Sequence, residues 1–385
     1  MEQLAGLAVG GDEVVPTASN EGLGIEAEDM AGDGVAMVMV VKEPAVKRGG
    51  AEGGLDCVEI HMGDDTRGGV GESRIECGGM MDTFGVRGAT LILIAIWLAG
   101  AGCGLAQGAA GWAGAVGRGG RMAPEARIVV VDEASGRVLA ARHMDEAAMT
   151  LAAPGSTLKP LVLYGLVSGG RWDPGRRVAC TRKLTVAGRE LNCSHPEMNP
   201  MDAREALTWS CNSYFAAVGA TLRPGELRGL LAPTGLLGET GLAAEEATAE
   251  MREPESVDDE RLAVLGVERV RVTPLELAAA YRWLGLQLAA HEGTEAARVV
   301  KAGMGDSASF GMAGAAGLGG VPVAGKTGTA SATGGGQTHG WFAGVAPADA
   351  ARVVIVVYLP AGHGADAARV AAEVLAHSPL RRTAR

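Results

Sequence analysis

Aromatic side chains are scarce in this chain: four Phe, four Tyr and six Trp among 385 residues. Beside sixty glycines, that scarcity implies many turns and a core of Ala, Val and Leu rather than stacked rings. No Gly-X-Y period runs through the sequence, which excludes collagen, and a 47% hydrophobic content excludes a wholly disordered protein. Excess positive charge is missing too. Residues 1–79 carry 16 Asp and Glu against 5 Lys and Arg, and the remainder carries 29 of each sign. The net charge of −11 therefore belongs to the N-terminal segment, and a balanced surface beyond it offers nucleic acid no electrostatic footprint. Cys-x-x-Cys is absent, and no two of the seven histidines stand four apart. Spacing alone thus predicts no metal.

The chain divides by composition. Residues 1–87 are acidic and Gly-rich and read as a disordered tail. Met80 and Met81 stand just before an apolar segment, so a translation start there is an equal alternative for the native N-terminus. Residues 88–117 contain no charge, and Leu91–Ala99 is densely apolar after Arg87. This segment is either a cleaved signal, ending near Gly104-Leu105-Ala106, or a retained anchor in the cytoplasmic membrane. Cys103 is only a weak lipidation site, because Gly100 stands where a lipobox has Leu. Either reading places residues 118–385 outside the cytoplasmic membrane. In that oxidising compartment, a disulfide between Cys180 and Cys193 across a hairpin is a reasonable expectation.

The exported part reads as α+β. Arg127–Asp132 and Arg137–Arg142 flank a Ser-Gly turn as a hairpin, and Val321–Ser331, Gly340–Ala346 and Arg352–Leu359 read as strands before a closing helix at Ala365–His377. Thr273-Pro-Leu-Glu276 is a capping box opening a helix to about Leu288, with shorter helices at Ala203–Trp209 and Tyr214–Leu222. Strands at both ends imply one antiparallel sheet flanked by helices, with an inserted helical lobe.

Three short motifs carry chemistry. In Pro154-Gly-Ser-Thr-Leu-Lys159, Ser156 falls at a helix start with Lys159 one turn on, within reach as a base if burial keeps the amine neutral. Ser210-Cys211-Asn212 puts a hydroxyl and an amide two apart, and both can face one cleft only across a turn. Cys211 between them reads as a small buried spacer. On a strand, Lys326-Thr327-Gly328-Thr329 sets Lys326 and Gly328 on one face and Thr327 and Thr329 on the other. Gly320 and Gly325 complete the spacing of a phosphate-binding loop, but the motif needs a helix where strand-like sequence follows.

In this order, Ser-x-x-Lys, Ser-x-Asn and Lys-Thr-Gly resemble the transpeptidase domain of penicillin-binding proteins, related to the β-lactamases, over about Arg127–Val374. The segment Leu265–Arg271 departs from the Gly-rich, Gln-containing approach usual there. The resemblance implies Ser156 as nucleophile, Lys159 as its base, Ser210 as proton relay, Asn212 on the substrate amide, Lys326 beside Lys159 and Ser210, Thr327 and Thr329 at the substrate carboxylate with Gly328 letting the substrate backbone approach, and the backbone amides of Ser156 and Thr329 as the oxyanion hole. It implies peptidoglycan stem peptides and β-lactam antibiotics as ligands, an acyl-enzyme and no cofactor. Cross-linking transpeptidase, carboxypeptidase, class D-like β-lactamase and non-catalytic β-lactam sensor all share this pattern. His195 and His339 read as structural.

Overall fold

The computed structural model describes residues 110–198, 200–331 and 336–383, with the backbone of 15–19, 22–26, 37–41 and 58–62. The chain forms two units, Met1–Trp97 and Leu98–Arg385. In the first, Val15–Ser19 pairs antiparallel with Gly22–Glu26, and Met37–Val41 with Val58–Met62. The rest of the acidic segment, the run Leu91–Ala99 and Cys103 lie outside the described residues. Among the described residues, no helix is long and apolar enough to cross a membrane.

The second unit is built on five antiparallel strands: β1 (Arg127–Asp132), β2 (Val138–Arg142), β3 (Ala324–Ser331), β4 (Thr338–Ala346) and β5 (Val353–Leu359), in the order β3-β4-β5-β1-β2. The first and last strands of this unit thus pair in one sheet, through the β5–β1 ladder from Val353–Asp132 to Tyr358–Arg127. The apolar runs are continuous because both faces of the sheet are covered. Along β1, Val129 and Val131 join the helical lobe's core, whereas Ile128 and Val130 join a second cluster on the far face.

The far face is covered by α1 (residues 110–122) and by the C-terminal helix Gly364–Ala376. Trp112, Ala115 and Val116 recur at helical spacing, and all three are buried in that second cluster. Among the described residues, apolar packing of this unit therefore includes Trp112, within the uncharged segment and upstream of the boundary expected at 118.

The near face carries the lobe: α2 (Lys159–Ser168), α3 (Ala203–Thr208), α4 (Asn212–Gly219), α5 (Pro274–Ala290) and α6 (Glu295–Ser309); the far-face helix Gly364–Ala376 is α7. The capping box at Thr273 and Glu276 is present in both directions. Helix α6 has no strong sequence signature, since Gly303 and Gly305 interrupt its apolar period. Gly303 is there for contact: a Cβ would stand 2.8 Å from the Leu207 Cβ of α3.

Candidate active site

The turn that carries the expected nucleophile, Ser156, is a single 3₁₀ turn, Gly155–Leu158, running directly into α2 at Lys159. Ser156 is partly exposed at its start, and Lys159 is fully buried. Buried groups from two elements, α5 and β4, hold the turn. The Tyr281 hydroxyl of α5 donates to the Thr157 carbonyl at 3.0 Å. Trp341 Nε1 donates to the Ala153 carbonyl at 2.9 Å, and His339 Nε2 meets the same oxygen at 2.8 Å. Because a carbonyl only accepts, His339 is protonated at Nε2, and its role is to anchor the turn.

The second motif is the joint between α3 and α4. Ser210 adopts a left-handed conformation with φ 55°, and Cys211 is extended as the N-cap of α4. The helix break lets positions 210 and 212 face one point, as their joint role requires. Lys159 Nζ donates to the Ser210 carbonyl at 2.9 Å and to Asn212 Oδ1 at 2.7 Å, and lies 3.4 Å from Ser210 Oγ. The Asn212 amide is oriented from behind, since its Nδ2 donates to the Leu191 carbonyl at 3.1 Å.

These contacts define what Lys159 can do. Burial lowers its pKa to about 8, against the opposing pull of Cys211 and Cys193. A neutral amine has two N–H groups, which match the two acceptors that cannot donate, the Ser210 carbonyl and Asn212 Oδ1. Its lone pair then remains for a hydroxyl proton.

The third motif runs along β3 at the sheet edge. Lys326 is fully buried and donates to the Thr327 carbonyl at 3.2 Å; burial first, then the neighbouring charge of Lys159, pushes its pKa well down. Gly328 lies against the nucleophile turn, where a Cβ would stand 2.4 Å from the Pro154 carbonyl and 3.4 Å from Ser156 N. Gly155, at φ +55°, packs so closely that a Cβ would stand 2.9 Å from Thr329 N. The backbone amides of Ser156 and Thr329 thus border one small space. Thr327 and Thr329 face α7, and Thr329 Oγ1 accepts from Gly364 N at 2.9 Å. The observed alternation is the one expected, and β3 is a strand rather than the start of a helix, which leaves no phosphate-binding loop.

Spacing did not reveal the cluster behind the second motif. Cys180, Cys193, His195 and Cys211 are all buried, and their ligand atoms lie within 4.8 Å of one another. The expected Cys180–Cys193 disulfide is not formed: Cys193 Sγ is 3.9 Å from Cys211 Sγ, and Cys180 Sγ is 3.5 Å from His195 Nε2. A hydrogen bond from Cys211 and the Asn212 and Ser213 amides favour the Cys193 thiolate, and the Cys211 thiol is pushed up in turn. Spacing alone predicts no metal, yet the topology gathers four possible donors from segments that no short motif joins. Cys211 is buried as expected, but as a member of this group rather than as an inert spacer.

A profile of the penicillin binding protein transpeptidase domain matches residues 126–378. No curated protein matches the chain in sequence. Among solved structures, the chain is similar to a transpeptidase domain of Burkholderia pseudomallei penicillin-binding protein 3, at 19% identity and a TM-score of 0.60, covering 72% of this chain and 95% of that one. It is similar to a peptidoglycan glycosyltransferase from Burkholderia ambifaria, at 18% identity and a TM-score of 0.60, over 70% and 94% of the two chains. It is also similar to Pseudomonas aeruginosa PBP2 in complex with WCK 5153, at 20% identity and a TM-score of 0.59, over 70% and 74%. At these identities the likeness establishes the fold.

Proposed function

The chain belongs to the family of penicillin binding protein transpeptidase domains, and from that premise we propose that it is a serine D-Ala-D-Ala acyltransferase cross-linking peptidoglycan stem peptides. The observation that carries the reading is the buried Lys159 amine, held by Ser210 and Asn212 one helical turn from Ser156, with β3 alongside. Ser156 Oγ attacks the carbonyl of the penultimate D-alanine while Lys159 takes its proton. The amides of Ser156 and Thr329 receive the oxyanion, where a single donor contributes about 3–4 kcal/mol. Ser210 passes a proton to the leaving amine, D-alanine departs, and an amine from a neighbouring strand resolves the ester. Thr329 Oγ accepts from Gly364 N, so its own proton can go to the substrate carboxylate, with Thr327 and Gly328 alongside. Lys326 is buried beside this site with its own pKa pushed well down by burial and by the Lys159 charge, which disfavours both amines being charged together.

A β-lactam would follow the same first step, but its leaving amine stays tethered and blocks the acceptor. Full-length protein mixed with penicillin should gain one antibiotic mass, mapped to the peptide holding Ser156 and persisting far beyond a catalytic cycle, while a D-Ala-D-Ala peptide releases D-alanine. An adduct elsewhere defeats the assignment. Many turnovers of penicillin would make the protein a β-lactamase, and a stable adduct with no D-alanine release would make it a sensor. The same reading places this unit outside the cytoplasmic membrane, delivered by residues 88–109 as signal or anchor.

A pH dependence follows. The acting form of Lys159 is neutral, and its pKa is lowered to about 8. Acylation should therefore accelerate as pH rises through about 8 and then level off. A profile flat from pH 6 to 9 at constant ionic strength would remove Lys159 as the base.

A further inference from the structure

We propose that Cys180, Cys193, His195 and Cys211 form a tetrahedral zinc site that pins the second motif in its working conformation. The four side chains come from three separate stretches of chain and converge in the core, with exposures of 5%, 8%, 2% and 0%. A tetrahedron with Zn–S of ~2.3 Å and Zn–N of ~2.0–2.1 Å has S–S edges of about 3.8 Å and S–N edges of about 3.5 Å. Two of the six edges, 3.9 Å between Cys193 and Cys211 and 3.5 Å between Cys180 and His195, match these values, and all four ligand atoms lie within 4.8 Å of one another. A disulfide needs ~2.0 Å, so these thiols are spaced for a shared ion.

Independent support comes from the histidine's other nitrogen. Nδ1 of His195 lies 2.6 Å from the Pro196 carbonyl, which can only accept, so the proton is on Nδ1 and the lone pair is on Nε2, toward the cysteines. A backbone carbonyl on the remote nitrogen is the usual way a metal-bound imidazole is oriented. The backbone N–H of Asn212 donates to Cys193 Sγ at 3.2 Å, a contact suited to a bound thiolate. Three thiolates and one imidazole in a closed, buried set favour zinc over harder cations.

Cys211 ties this site to the chemistry, because it lies between Ser210 and Asn212. An ion bound to Cys211 on one side and to Cys180, Cys193 and His195 on the other would fix the extended N-cap of α4. That cap in turn aims Ser210 and Asn212 at Lys159. This positioning role rests on the acyltransferase reading; metal binding itself does not.

Full-length protein purified with zinc present should hold one zinc per chain. Exchange with cobalt should give the visible bands and thiolate-to-metal charge transfer of a tetrahedral site. Cys180→Ser and His195→Ala should each weaken binding by more than the ~10–100-fold lost with a supporting residue, whereas replacing Cys57, Cys77 and Cys103 with serine should leave the metal in place. Stripping zinc should slow acylation at saturating penicillin without loss of circular dichroism, and zinc should restore it. Less than one zinc per chain, an octahedral cobalt spectrum, or a Cys193–Cys211 disulfide by peptide mapping would each overturn the site. Those readings on the unaltered protein stand even if a variant fails to fold, and none of them bears on whether Ser156 acylates. If zinc is bound but its removal leaves the acylation rate unchanged, the positioning role falls.

Discussion

Replacing Lys159 with methionine should slow acylation of Ser156 by penicillin by about 10²–10⁴-fold, the range for loss of a positioned general base. Methionine keeps an unbranched stem in the space over the Phe215 ring, whose centroid lies 5.1 Å from Nζ, so little packing is lost. The Ser210 carbonyl and Asn212 Oδ1 lose a donor, which costs about 1–3 kcal/mol if water does not replace it. The deficit in rate should far exceed the deficit in stability, and it should shrink below pH 8, where the native amine is itself protonated. Stopped-flow acylation at pH 9 and pH 6 beside thermal melts of both proteins decides the matter. Equal rates at pH 9 would leave Ser156 without Lys159 as its base.

The sheet and the three motifs were readable because each has a local cause. Val353–Leu359 is buried at every position, so its sequence is a continuous β-branched run bounded by Asp349 and Gly362. The Thr273–Glu276 box announces α5 from four residues. Ser210 and Asn212 required a helix break, and the left-handed Ser210 supplies one. What stayed hidden depends on chain segments meeting in space. Helix α6 is obscured by Gly303, whose value lies in its approach to Leu207. The zinc ligands are spaced by thirteen, two and sixteen positions and match no short motif; the available signal was three cysteines and a histidine within one stretch ending at a catalytic motif. α1 was masked because one uncharged run held both an export-like segment and a buried amphipathic turn.

Leu265–Arg271, the segment that departs from the usual pattern, leads to the second large effect. Gly266 follows the helix Val257–Val264 at φ +70° and packs onto the nucleophile turn, where Gly155 N donates to its carbonyl at 2.8 Å. A Cβ on Gly266 would stand 2.1 Å from the Gly155 carbonyl oxygen, an immovable backbone atom. Gly155 in turn presses on Thr329 N, so any retreat of the turn separates the two amides proposed to hold the oxyanion. Gly266→Ala should cost about 1–2 kcal/mol for the left-handed backbone and about 1–3 kcal/mol for overpacking. At about 2–4 °C per kcal/mol for a domain this large, the melting point should fall by roughly 10 °C. Displacing one oxyanion donor should slow acylation by about 10²–10³-fold in addition. Gly229→Ala is the control: it lies in the exposed face of Glu226–Leu231, where a Cβ meets nothing within 4 Å, and helix propensity makes it neutral or stabilising. If Gly266→Ala melts and acylates like the native chain, the Gly266–Gly155–Thr329 stack does not set the oxyanion geometry, and Leu265–Arg271 is only a covering loop.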